Sequence, residues 1–386
     1  MTTTINNEHK KLNVPNLRFP EFQGEWEESI IGEMFDLYSG NTPSRLNKEH
    51  FKGAVNWISS GELKEHYIYS SKEQISEEAA KNLKLLPVGT FVIAIYGLEA
   101  EGVRGTGSIT QEPSTISQAC MSFIPKGVIG NEFLYSWYKK HGNVIGIRYA
   151  QGTKQQNLSY DILEKFKIAY PNTKEQEKLN RFISLIDERI ATQNKIIEDL
   201  KMLKSAISHI LFSSKGAILL SEIANVVMGQ SPSSNAYNDQ GLGMPLVQGN
   251  LDISNGKTTP RLYTAEFNQT TEKGNIILTV RAPVGEVAKA TQKVCLGRGV
   301  CAIIPLEENM SDFIYQYLTF YKFMWRRYEQ GSTFTSINGS DVRNILCPKV
   351  RNVSILTLLD RKINIEERVV KQYQSQKQYM LYQMFI

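Results

Sequence analysis

A hydrophobic seam that occurs twice constrains this 386-residue chain more than any other feature. Ile183, Ile186, Ile190, Gln193, Ile197, Leu200, Lys204, Ile207 and Leu211 follow an alternating three–four spacing. Adding 173 to each number gives Leu356, Leu359, Ile363, Glu366, Val370, Tyr373, Lys377, Met380 and Met384. Both series are apolar at the same steps and polar at the same two. Such spacing over four heptads predicts coiled-coil helices. Each would be about 50–60 Å long at ~1.5 Å per residue. Neither stripe can be buried by its own helix. The simplest solution pairs the two, antiparallel, because the chain leaves along one and returns along the other. The alternative packs each helix on its own domain. Ile196, Leu203 and Ile210 widen the first face, so partner helices are a third option.

The seam belongs to a longer repeat. Gly32–Ser44 (GEMFDLYSGNTPS) matches Ser221–Ser233 (SEIANVVMGQSPS), with G-x-S/T-P-S in common. Trp57–Leu63 matches Pro245–Leu251, Gly89–Ile95 matches Gly274–Val280, and Ala119–Pro125 matches Gly299–Pro305. Asn131–Tyr138 matches Ser311–Leu318, and Tyr149–Leu163 matches Tyr328–Val342. The blocks keep their order while the offset drifts, as differing loop lengths would produce. FVIAI (Phe91–Ile95) and IILTV (Ile276–Val280) read as buried strands. Helical patterns follow around Asn131–His141 and Ser311–Arg327, and a proline precedes each long helix. The expected class is α+β (mixed α/β). Two similar globular domains are separated by a pair of long antiparallel coiled-coil helices, in a pseudo-two-fold internal repeat. The expected boundaries are a tail over 1–14, domains over 15–173 and 215–350, and helices over 174–214 and 351–386. The domains are expected at opposite ends of a rod.

Composition narrows the function. No apolar run approaches the ~18–20 residues that span a bilayer, and the opening residues lack a signal-peptide core. A cytoplasmic protein without membrane partners is expected. Cys120, Cys295, Cys301 and Cys347 contain no CxxC pair, which favours reduced, structural thiols. The five scattered histidines form no HExxH, so no metal site is expected. Gly256-Lys257-Thr258 resembles a P-loop end, but Leu251 stands where its first glycine belongs. GVRGTG (Gly102–Gly107) reads as a flexible turn. There is no G-x-S-x-G, and neither NPPY nor NPPF, so no catalytic constellation is expected. The net charge of +5 permits nucleic-acid binding, although residues 15–173 are net acidic. Any DNA-facing surface there must be local.

Polar loops recur at matching places. Thr42, Ser44 and Arg45 match the loop of Ser231 and Ser233. Lys154, Gln155, Gln156 and Asn157 match the loop of Thr333, Thr335 and Ser336. Amides and hydroxyls suit base edges, and Lys and Arg suit phosphates or guanine. Turn chemistry explains the same composition equally well. Arg104, Arg148, Arg281, Arg298, Arg326 and Arg327 are further candidates, although lone arginines more often form surface ion pairs.

With LRFPEFQGEWEE (Leu17–Glu28), the twin G-x-S/T-P-S loops and the block Gln151–Ile190, the whole chain strongly resembles type I restriction–modification specificity subunits. The second copy departs from that pattern. Gly331–Ser336 lacks the Gln-Asn pair, and the acidic–Gln element is missing after Pro348. The resemblance implies two target recognition domains, each reading one half of a bipartite double-stranded DNA sequence. The helices would set the spacer and dock two modification (methyltransferase) subunits. This chain would be non-catalytic and hold no cofactor. S-adenosylmethionine would belong to the modification subunits, and ATP and Mg to the restriction/translocase subunits when present. A stand-alone bipartite DNA-binding regulator is the alternative, and an enzyme with an unrecognised site is a weaker third.

Overall fold

A computed structural model describes residues 12–100, 102–152, 156–213, 217–327, 336–350 and 352–386, with only the backbone of Phe323, Arg326 and Arg327. One compact unit runs to Thr192 and resumes at Val370, and the other spans Gln193–Val369. Each unit therefore contains half of each long helix.

In the first unit a five-stranded sheet has the order Phe35–Ser39, Cys120–Pro125, Phe91–Ala94, Gly107–Thr110, Tyr67–Ile68. All its pairs are antiparallel except the last. Phe91–Ala94 is buried at every position, as its unbroken apolar run requires. Gln74–Ile75, Val55–Ile58 and Ser114–Ile116 form a second sheet, the last two parallel. Helix Asn131–Tyr149 extends well past the predicted end and packs Phe133, Leu134 and Trp137 into the core.

The second unit repeats this plan. Ala224–Met228, Val300–Pro305, Ile276–Thr279, Val287–Lys289 and Lys257–Thr258 occur in the same order, with Ile253–Ser254 added at the edge. Ile276–Thr279 is again wholly buried at the centre. Met244–Val247 again pairs in parallel with the strand Val294–Leu296. Ser311–Tyr321 is α-helical and continues as a 3-10 turn to Arg327. Gly256 (φ +67°) turns the hairpin between Ser254 and Lys257, so Gly256-Lys257-Thr258 is hairpin chemistry. Gly102 and Gly105 also have positive φ, in the expected turn. All four cysteines are free and buried, and burial pushes the thiols of Cys120, Cys301 and Cys347 up to about 12.

The long helices span Thr173–Phe212 and Ser354–Met384. Their starts are capped by side chains that proline spacing did not reveal. Asn172 Oδ1 accepts from the Glu175 N–H at 3.1 Å, and Asn352 Oδ1 from the Ser354 N–H at 3.1 Å. The opening motif clamps the first start. Arg18 donates two 2.7 Å hydrogen bonds to the buried Glu175 carboxylate, and Trp26 Nε1 adds a third at 3.4 Å. Gln176 donates to the Pro171 and Val128 carbonyls. In the second copy, buried Val353 and Leu356 cover the helix start instead. A core apolar contact replaces the polar clamp, which accounts for the missing acidic–Gln element.

Within each unit the helix segments pair antiparallel. In the first, Lys377 Nζ donates to both Asp187 oxygens at 2.6 and 2.7 Å, and Arg189 lies over the Tyr373 ring. In the second, Lys204 Nζ donates to Asp360 at 2.5 Å, Lys201 to Glu367 at 2.8 Å, and Gln193 to Glu366. Ile183, Ile197, Leu356, Leu359, Ile363, Val370 and Met384 are buried. Ile186, Ile190, Leu200, Ile207, Leu211, Tyr373 and Met380 are half-buried. Ile196, Leu203 and Ile210 stay exposed beside the seam, as do Leu358, Ile365, Tyr379 and Tyr382.

Candidate nucleic-acid interface

The G-x-S/T-P-S loops leave the edge strands of the two main sheets and cross the ends of neighbouring strands. Their glycines are needed for that approach. A Cβ on Gly40 would meet the Ile116 carbonyl oxygen at 2.1 Å, and one on Gly229 the Gly297 oxygen at 2.1 Å. Backbone contacts hold the loops there. Asn41 N–H donates to Ile116 O at 3.1 Å, and Gln230 N–H to Leu296 O at 2.9 Å. The shared sequence pattern is therefore a shared docking geometry.

In the second unit this geometry gathers candidates separated by up to 105 residues. The Arg298 N–H donates to Ser231 Oγ at 3.1 Å. Arg281, at the end of the central strand, forms a β-bridge with Ser336. Ser231, Arg281 and Arg298 line one open cleft of about 650 Å³ with Tyr237 and Gln248. Ser233 is exposed beside it. Sequence pattern does not mark Tyr237 or Gln248, since Tyr237 is an aromatic in a turn-rich stretch and Gln248 follows an apolar strand. Gln248 is recognisable only by its match to Ser60 in the repeat.

The first unit places its candidates less uniformly. Thr42 is half-buried, Ser44 is exposed, and the Thr42 N–H donates to Asn41 Oδ1 at 2.8 Å. Asn157 forms β-bridges with Tyr96 and Gln151, so its loop reaches the central strand end as Ser336 does. Arg104 Nη2 donates to Gln156 Oε1 at 2.8 Å, joining two candidates. The Gln156 N–H donates to Glu99 and holds that carboxyl below its usual range. Arg45 is engaged elsewhere. It forms a bidentate pair with Glu73 at 2.8 and 2.7 Å and lies 4.4 Å from the Phe51 ring centroid. Arg148 lines a different cavity, with Trp137, His141 and Phe166. Lys154, Gln155, Thr333 and Thr335 lie outside the described residues, as do the side chains of Arg326 and Arg327.

The cleft of the second unit brings together no nucleophile and base, and among the described residues no group of His, Cys, Asp and Glu has metal-site geometry. No helix among them is long and apolar enough to cross a membrane. The arrangement offers exposed hydrogen-bonding groups on rigid strand ends, which suits reading an edge pattern.

Comparison with known proteins agrees with this geometry. A family model described as the type I restriction modification DNA specificity domain matches twice, over residues 23–202 and 217–372. A putative type I restriction enzyme MjaX specificity subunit from Methanocaldococcus jannaschii is 30% identical over 232 residues, 54% of each chain. The Escherichia coli EcoR124I/EcoR124II specificity subunit is 30% identical over 206 residues, 52% of this chain and 50% of that one. The chain spans about half the length of the curated relatives it matches. Among solved structures, the S subunit of a type I restriction–modification system from M. genitalium superposes with a TM-score of 0.59. That match has 19% identity and covers 97% of this chain and 99% of the other. A chain from a study of type I R-M complex assembly gives 0.61, with 19% identity, over 92% and 96%. The chain belongs to the type I restriction modification DNA specificity domain family.

Proposed function

We propose that this chain is the non-catalytic specificity subunit of a type I restriction–modification complex. The domains over 15–173 and 215–350 each read one half of a bipartite double-stranded DNA target. The helices over 174–214 and 351–386 fix the spacer and dock two modification subunits. Restriction/translocase subunits join when present. S-adenosylmethionine is held by the modification subunits, and ATP and Mg by the translocase. The work is done in the cytoplasm.

One observation carries this reading: two units of the same topology present matching strand-end loops. A single reader needs no second copy. The exposed stripes at Ile196, Leu203, Ile210, Leu358 and Ile365 support helix docking by partners. DNA sites are read through groove-edge patterns, with phosphate contacts setting position. The test expresses this chain with its cognate modification subunits and sequences the methylome. A new bipartite methylated motif is expected, absent without this chain. No motif, or methylation by the purified chain alone, overturns the reading.

A further inference from the structure

The two loop sites are built alike and furnished differently. Their positions correspond through the sheets. Tyr96 and Arg281 each follow the central strand, and each bridges to the incoming loop, at Asn157 and Ser336 respectively. Gln118 and Arg298 occupy the same turn before Cys120–Pro125 and Val300–Pro305. Thr42 matches Ser231, and Ser60 matches Gln248. The first unit thus carries a phenol and an amide at the places where the second carries two guanidinium groups.

Both arginines are exposed, and neither forms an ion pair among the described residues. By contrast, Arg18, Arg45 and Arg261 are paired with Glu175, Glu73 and Asp252. Of the arginines beside the two G-x-S/T-P-S loops, Arg45 is neutralised, and these two are left open. Their backbones are also fixed. The Arg298 N–H is tied to Ser231, and a Cβ on the following Gly299 would meet the Gln248 carbonyl oxygen at 2.1 Å. A planar fork on a fixed backbone matches the O6 and N7 acceptors of guanine in the major groove.

Resting on the DNA-reading function above, we propose that the second domain reads at least one guanine through Arg281 and Arg298. The first domain, lacking arginine at both places, reads its half-site through Tyr96 and Gln118. The two half-sites therefore differ in chemistry although their readers share a fold.

The test uses the complex of this chain with its modification subunits, on DNA carrying the motif found in the methylome. Guanines are replaced one at a time by 7-deazaguanine, which lacks the N7 acceptor. Wild-type complex is expected to lose affinity on the order of tenfold at one or more guanines of one half-site. Arg281→Gln or Arg298→Gln should bind native and substituted DNA equally there. Tyr96→Phe and Gln118→Ala should alter preference only in the other half-site. Undiminished 7-deaza sensitivity in both Gln variants overturns the proposal. So does uniform weakening with discrimination intact, which marks a phosphate contact. Failure of the DNA-reading function looks different, since wild-type complex would then show no motif.

Discussion

The Gln193 side-chain amide donates to the Glu366 carboxylate, and Glu366 is the residue at Gln193's own place in the second repeat. The neighbouring pairs obey the same relation. Adding 173 converts Asp187 to Asp360 and Lys204 to Lys377, so Asp187–Lys377 and Asp360–Lys204 are one contact made twice. An antiparallel pair of repeated helices has only one position where a residue meets its own counterpart. A polar contact there sets register, because sliding either helix leaves both groups facing apolar neighbours.

Glu366→Ala strands the Gln193 amide and removes the acceptor of Lys362. A destabilisation of about 1–3 kcal/mol is expected. Gln193→Leu with Glu366→Leu should melt at or above the wild-type temperature, because apolar replacement removes the burial penalty. Thermal unfolding of the three proteins checks both. A double variant less stable than Glu366→Ala would contradict this account.

The Asp187–Lys377 pair is linked to His66, whose ring is stacked between Tyr67 and Tyr135 at 4.0 and 3.9 Å. Burial by itself lowers the His66 pKa, but hydrogen bonds to Asp187 and Glu132 outweigh it and raise the pKa above 6.5. For Asp187, burial opposes ionisation, yet His66 and Lys377 together hold its carboxyl below 3.8. The His66 contribution is complete below 6.5 and is lost as pH rises through its higher folded value. The Asp187 contribution is present above 3.8 and is lost as pH falls through its lower folded value. Between those limits both act. The melting-temperature gap between wild type and His66→Gln should narrow from about pH 6 to about pH 9. A constant gap would show that His66 does not titrate in this range.

Gly40→Ala and Gly229→Ala each place a methyl group 2.1 Å from a carbonyl oxygen. The loop must move, at a cost of about 1–3 kcal/mol. Under the proposed function, each variant should degrade one half of the methylated motif and spare the other. Methylome sequencing of the two variants reads this directly. Loss of the same half in both would break the assignment of one loop to one half-site.

Four residues inserted near Asn194, within the long helix, add about 6 Å at 1.5 Å per residue. The preferred DNA spacer should lengthen by about two base pairs, or assembly with the modification subunits should fail. An unchanged motif would refute the spacer role of the helices.

The seam, the repeat and the central strands were legible in the chain because each is periodic. Hydrophobic spacing of 3.5 or of unbroken runs reports directly which side of an element is buried. The same blocks located the loops that carry Ser231 and Asn157. Sequence could not separate Arg45 from Arg298, since both are arginines in polar loops. Tertiary structure decided that: Glu73, 28 residues from Arg45, neutralises it, while nothing described neutralises Arg298. It also decided that Glu175 and Gln176 anchor the first long helix, through Arg18, Trp26 and the Pro171 and Val128 carbonyls. Local pattern determines which faces are buried and where the chain turns. Whether a charged side chain is a strut or a reader depends on the partner that long-range folding brings to it.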